Sequence, residues 1–249
     1  MTEPPRITEE DWRIWETDWF SAEQSEWEPV TQMCKTLGGL EHLAGIHISQ
    51  RKWRLFMVAC LHRVRHIFQD ERTRSLIDAL EEIAEGEMTD EEYWQLELRS
   101  INPPNPDCVE GSDTCPPERR PVGCACEALG FAANSRLDSS GVHTGAAWAR
   151  NALGDEAAET LFQVKALRDI FGDPFRPATV DPMWLSWNDG TVVKLASTIY
   201  DRREFDMLPI LGDALEEAGC RNEEIIKHCR VPEIHVRGCW LLDSLLGKE

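Results

Sequence analysis

Five side chains of the kinds that bind soft or borderline metals fall within residues 220–239: Cys220, His228, Cys229, His235 and Cys239. Thiolate and imidazole are the donors zinc prefers, so a four-ligand set of Cys220, Cys229, His235 and Cys239 is the metal centre this stretch would build. His235 and Cys239 stand four apart and would share one face of a helix predicted over 235–246. Cys220 and Cys229 do not form the close Cys pair of a zinc ribbon. Free cysteine is also among the most buried residue types, and packing into a core explains the same residues without any cofactor. Both readings stand at this point, with packing favoured by the spacing.

Other groups carry weaker chemistry. Cys108, Cys115, Cys124 and Cys126 lie in and just after a Pro-rich stretch, but match no zinc knuckle or Cys-x-x-Cys redox element. They read as thiols near the surface. His62 and His66 also stand four apart, yet Arg63 takes the place of the Glu that a metalloprotease helix carries, and Arg65 adds a second cation. They read as polar-face residues or partners of acids. Glu81, Glu82, Glu85, Glu91, Glu92, Glu216 and Glu217 fall on predicted helices and read as solvated or ion-paired faces. No Gly-x-Ser-x-Gly elbow and no Gly-rich phosphate loop followed by Lys occurs, so the balance is against an enzyme without excluding one.

The elements that must position these residues are helices. Ser49 is an N-cap for a helix whose Trp53, Phe56, Met57, Cys60, Leu61, Val64, Ile67 and Phe68 make one apolar stripe. Its other side carries Arg51, Lys52, Arg54, Arg63 and Arg65. Residues 70–99 hold eleven acids against three bases, with Leu76, Ile77, Leu80, Ile83 and Ala84 at helical spacing, so two oppositely charged helices are expected to pair. Thr89 and Glu92 form a capping box. Prolines break the chain over 100–120. Beyond it, helices are predicted over 121–134, 142–153, 155–171, 192–200 capped by Asp189, 206–217 with Pro209 in its first turn, 223–228 capped by Asn222, and 235–246.

Sustained two-residue alternation is scarce, which makes the expected fold all-α, an irregular multi-helix bundle of about eight to ten helices. The chain divides on this reading into an acidic Trp-rich N-terminal arm at 1–48, a helical half at 49–99, a Pro/Cys-rich loop or linker at 100–120, and a helical half at 121–249 that could share one domain with 49–99. In the arm, Trp12, Trp15 and Trp19 recur near one helical turn and are the candidate partner-binding residues.

Composition narrows the partners. With 249 residues, 42% hydrophobic and ten Trp, the chain has ample material for a core. Its formal charge of −19 repels a phosphate backbone, so nucleic acid is not an expected partner, while a protein with a basic surface is. No apolar stretch reaches the length of a membrane span, and no secretory signal is visible. Nine cysteines, an odd number, read as reduced thiols and a cytoplasmic location.

Three stretches resemble an uncharacterised helical protein family common in planctomycete genomes. They are 51–60 (Arg-Lys-Trp-Arg-Leu-Phe-Met-Val-Ala-Cys), 171–177 (Phe-Gly-Asp-Pro-Phe-Arg-Pro), and a C-terminal run. That run comprises 208–220 (Leu-Pro-Ile-Leu-Gly-Asp-Ala-Leu-Glu-Glu-Ala-Gly-Cys), 228–230 (His-Cys-Arg), 235–240 (His-Val-Arg-Gly-Cys-Trp) and 245–249 (Leu-Leu-Gly-Lys-Glu). The sequence departs from the family pattern at Leu61, where a Cys is expected, and over 231–234. The resemblance implies a helical fold and brings no activity with it. The function expected from the residues is a non-enzymatic protein-interaction or adaptor module; the alternative is a zinc-stabilised regulatory or catalytic domain built on the C-terminal Cys and His.

Overall fold

The computed structural model describes residues 29–44, 48–86, 89, 91–92, 94–95, 120–134, 136–231 and 233–248. Among the described residues the ordered elements are helices and no strand occurs, so the fold is an all-α multi-helix bundle. Trp12, Trp15, Trp19, Cys108 and Cys115, with the break expected over 100–119, lie outside the described residues. The chain forms two compact units, Met1–Val164 and Lys165–Glu249. No helix among the described residues is long and apolar enough to cross a membrane.

In the first unit, α1 (Pro29–Ala44) brings Val30, Met33, Cys34 and Leu37 into the core, so the stretch assigned to the N-terminal arm ends in a packed helix. Next comes α2 (Gln50–Val64), which starts where expected, the Ser49 hydroxyl accepting from the Lys52 N–H at 3.3 Å. It packs against α3 (Glu71–Ala84), α4 (Arg120–Ala132) and α5 (Ser139–Leu153), and so is buried on more than one side. The halves at 49–99 and 121–153 therefore share one core. Gly145 of α5 makes the close approach: a Cβ there would stand 2.6 Å from Met57 Cε and 2.8 Å from Phe131 Cβ.

The opposed charges of α2 and α3 do meet. Arg51 pairs with Glu85 at 3.2 Å, Arg65 with Asp78 at 2.5 Å, and His62 faces Glu81 at 3.7 Å. Arg63 turns instead to Glu159 at 2.5 Å. Two expectations need correction here. Glu81 is buried, not solvated, because α2 covers it. Arg54 is not on a solvent face either: it is buried and donates to the carbonyls of Ala132 at 2.9 Å and Asn134 at 3.2 Å. The last carbonyls of α4 have no partners within their own helix, and a guanidinium satisfies two at once. The capping box of Thr89 and Glu92 forms in both directions.

The second unit takes the last turns of α6 (Glu156–Phe171), then α7 (Pro182–Ser186), α8 (Thr191–Arg202), α9 (Leu208–Glu217), α10 (Glu223–Arg230) and α11 (Trp240–Leu246). Its core joins Val192, Ile199, Tyr200, Leu211, Leu215, Ile225, Leu241 and Leu245. Pro209 sits in the first turn of α9, and Asn222 caps α10 by accepting from the Glu224 and Ile225 N–H groups. Asp189 does not cap α8. Asn188, Asp189 and Gly190 all take left-handed backbone, and Gly190 is the N-cap. The last helix is also shorter than expected. It begins at Trp240, because Gly238 at φ 91° interrupts helical backbone, so His235 and Cys239 do not share a helix face.

Candidate metal centre

Asp169, His228, His235 and Cys239 each bring one ligand atom to a common point, all four atoms lying within 4.8 Å of one another. They come from four places in the second unit: the last turn of α6, the last turn of α10, the connection after α10, and the N-cap of α11. All are shielded, with side chains of Asp169, His235 and His228 only 3%, 7% and 13% exposed, and Cys239 fully buried.

Asp169 organises the group. Its Oδ1 lies 2.7 Å from His235 Nδ1 and 3.6 Å from His228 Nε2, while Oδ2 accepts from the Val236 N–H at 2.7 Å. His228 Nε2 also lies 3.1 Å from Cys239 Sγ. The two imidazoles meet edge to face with centroids 4.9 Å apart. A carboxylate at this place is unfavourable twice over, since it is buried and stands at the negative end of a helix. It calls for positive charge nearby.

Gly172 lets the site close. Its φ of 64° ends α6 three residues after Asp169, and a Cβ there would stand 3.0 Å from Trp240 Cγ. The Trp240 ring can therefore lie against the helix end and also cover His228, 4.9 Å between ring centroids. On the opposite side Phe205 faces His235 at 6.2 Å.

Electrostatics set the resting protonation. Burial pushes His228 down to about 4, against the raising influence of Asp169, so its imidazole is neutral at pH 7. Burial, reinforced by the Asp169 charge, holds the Cys239 thiol well above its ordinary range, although the N–H groups of Leu242 and Leu241 act the other way. Without a cation the thiol hydrogen bonds to the neutral imidazole, and His235 donates to Asp169. With a dication the balance changes: one thiolate and one carboxylate neutralise it, and two neutral imidazoles complete the shell. A tetrahedral zinc shell has ligand-to-ligand edges of roughly 3.3–3.8 Å. Three of the separations, 2.7, 3.1 and 3.6 Å, bracket that range, and none exceeds 4.8 Å, so forming the shell asks for the widest pair to close by about 1 Å.

Of the residues expected from sequence to hold metal, the structure brings His235 and Cys239 together. Cys220 and Cys229 go elsewhere, into the apolar core beside Leu211, Leu215 and Ile225. Cys229 packs against Gly212, whose added Cβ would stand 2.9 Å from Cys229 Cβ, and burial pushes its thiol up to about 12. Both are buried in that core. Asp169 was missed, being 66 residues from His235 in sequence. His228 was noticed in the cluster but left out of the four-ligand set. Cys124 and Cys126 are half-buried residues of α4 in the first unit, and His66 Nδ1–H donates to the Arg63 carbonyl at 3.0 Å.

No protein-family model, curated protein or solved structure matches the chain.

Proposed function

We propose that the chain is a metal-binding helical protein whose second unit is stabilised by one zinc-class ion held by Asp169, His228, His235 and Cys239. The observation that carries this reading is the convergence of four ligand atoms from four metal-binding side chains within 4.8 Å. Four protein donors fill a tetrahedral shell and leave no position for substrate, which is the pattern of a structural and not a catalytic zinc. The domain then works by presenting a surface. Its formal charge of −19 favours a partner with a basic surface, and the seven described cysteines, all free thiols, suit a reducing, cytoplasmic setting.

Elemental analysis of the full chain, purified without chelator, tests the reading. One zinc per chain is expected, with stoichiometry kept in Cys220→Ala and Cys229→Ala and lost in His235→Ala and Cys239→Ser. Protein that neither carries zinc nor takes it up on titration overturns it. For the partner, pull-down with the wild-type chain and with Trp12, Trp15 and Trp19 changed to Ala is the corresponding test; undiminished capture removes those residues from the proposal.

A further inference from the structure

The connection between α10 and α11 is built differently from the rest of its unit. Residues 233–237 are none of them buried as whole residues, His235 being covered only through its side chain. The backbone here makes short-range turns, with the Glu233 N–H donating to the Val231 carbonyl at 2.8 Å and the Cys239 N–H to the Val236 carbonyl at 3.1 Å. It nonetheless lies across apolar surface. His235 sits over Phe205, and the Arg237 guanidinium stands 5.1 Å from the centre of the fully buried Tyr200 ring. The segment is a strap, and its two ends bear metal donors: His235 within it and Cys239 where it joins α11.

We infer that the zinc-class ion is the clasp of this strap, fixing residues 233–239 over Phe205 and Tyr200, so that metal occupancy decides whether that surface is covered. The inference rests on the metal centre proposed above and adds what the ion is for. Asp169 is the fixed post. It stands on α6, and its Oδ2 holds the Val236 N–H at 2.7 Å, while Oδ1 faces both imidazoles. Metal binding replaces the proton of the Cys239 thiol, which passes to solvent, and shifts the His235 proton to its other ring nitrogen. One ion then spans helix α6, helix α10, the strap and the start of α11. Without it, a hydrogen bond to His235 and one backbone N–H hold the strap to Asp169, and neither resists competition from water as metal–ligand bonds do.

Hydrogen–deuterium exchange on the full chain, read by peptide with and without one equivalent of zinc, tests this. Exchange over 233–239 is expected to slow at least tenfold on zinc addition, with 208–217 in α9 little changed. The Asp169→Asn variant keeps an acceptor for Val236 but loses the anionic ligand, and is expected to show no zinc-dependent slowing. Cobalt(II) in place of zinc should give a thiolate-to-metal absorption that Cys239→Ser abolishes. If zinc binds stoichiometrically and exchange over 233–239 does not change, the clasp is wrong and the metal centre stands. If no metal binds, both fall.

Discussion

The two units bury charge differently: the first holds Arg54 and Arg150 as well as the acids Glu81 and Glu159, while the described residues of the second bury the acids Asp169 and Asp243. In the first, each buried cation is matched locally: Arg54 caps α4 through two carbonyls, and Arg150 donates to Gln163, which donates on to the Ala146 carbonyl. Guanidinium groups do this well because five donors in a rigid fork can be satisfied at several acceptors at once. In the second unit, two imidazoles and a thiol gather around Asp169. Hydrogen bonds complete the first arrangement. On the reading proposed above the second is completed by a dication, and the difference teaches that a buried polar cluster is read by which atoms converge, not by how many are buried.

Breaking the Arg54 contacts should have the largest effect on stability. Arg54→Ala leaves the buried Ala132 carbonyl without its donor and empties the space the guanidinium fills, and is expected to cost about 2–4 kcal/mol, with the first unit alone affected. Arg54→Lys should recover little, because an ammonium cannot reproduce the fork. Chemical denaturation followed by peptide-resolved hydrogen exchange would show it. Loss of less than about 1 kcal/mol would mean that water replaces the guanidinium, and the contrast between the units would weaken.

Packing supplies the next test. Gly145→Ala forces a methyl to within 2.6 Å of Met57 Cε and 2.8 Å of Phe131 Cβ. The Met57 end can move, but Phe131 Cβ is anchored to α4, so overpacking should cost about 1–3 kcal/mol. Metal uptake by the second unit should be unchanged, since every donor there lies in 165–249. A Gly145→Ala protein with wild-type stability would show that α4 and α5 can separate freely.

Much of the fold was legible because it is local. Ser49 and Asn222 read as caps since an oxygen just before an apolar periodic run has an obvious donor to meet, and both do meet it. The pairing of α2 with α3 followed from runs of opposite charge. Arg54 was misread because helical periodicity tells which residues share a stripe, but not how many neighbours surround the helix. The metal centre was half legible. Clustered Cys and His drew attention to 220–239, but spacing could not sort His235 and Cys239 from Cys220 and Cys229. Asp169 gave no signal at all: it is one of 45 acids, on a helix that reads as amphipathic, and its partners lie 59 or more residues away. The one hint within reach was its place, an acid in the last turn of a helix, where the dipole does not welcome it. His235 and Cys239 also came together for a different reason from the one expected, through a turn at Gly238 and not through a helix face.

A cap tests how far the metal centre depends on ordinary helix chemistry. Asn222→Ala removes the acceptor for the Glu224 and Ile225 N–H groups and should cost about 1 kcal/mol. Because α10 carries His228, fraying at its start should also weaken zinc affinity, by up to about fivefold if the whole cost is felt in the bound state. Competition with a chromophoric chelator measures it. An unchanged affinity with lowered stability would mean that His228 is held by its neighbours in the cluster and Trp240 rather than by its helix.

The smallest effect should be a gain. Asn188 at φ 47° and Asp189 at φ 56° both sit in left-handed backbone ahead of Gly190, in an exposed turn that leads into α8. Asn and Asp tolerate that region better than most residues, but glycine pays no Cβ penalty there. Glycine also has more freedom to lose on folding, which offsets part of the benefit. Asp189→Gly should therefore raise the stability of the second unit by a few tenths of a kcal/mol, up to about 1. It touches neither the strap nor any donor, so zinc affinity should stay as it is. Thermal unfolding with and without zinc checks both halves of the expectation: a gain present in both states places the strain in the turn, whereas a gain seen only with zinc would mean that the turn before α8 and the metal centre are coupled through α8, and that the second unit responds to its ion as a whole.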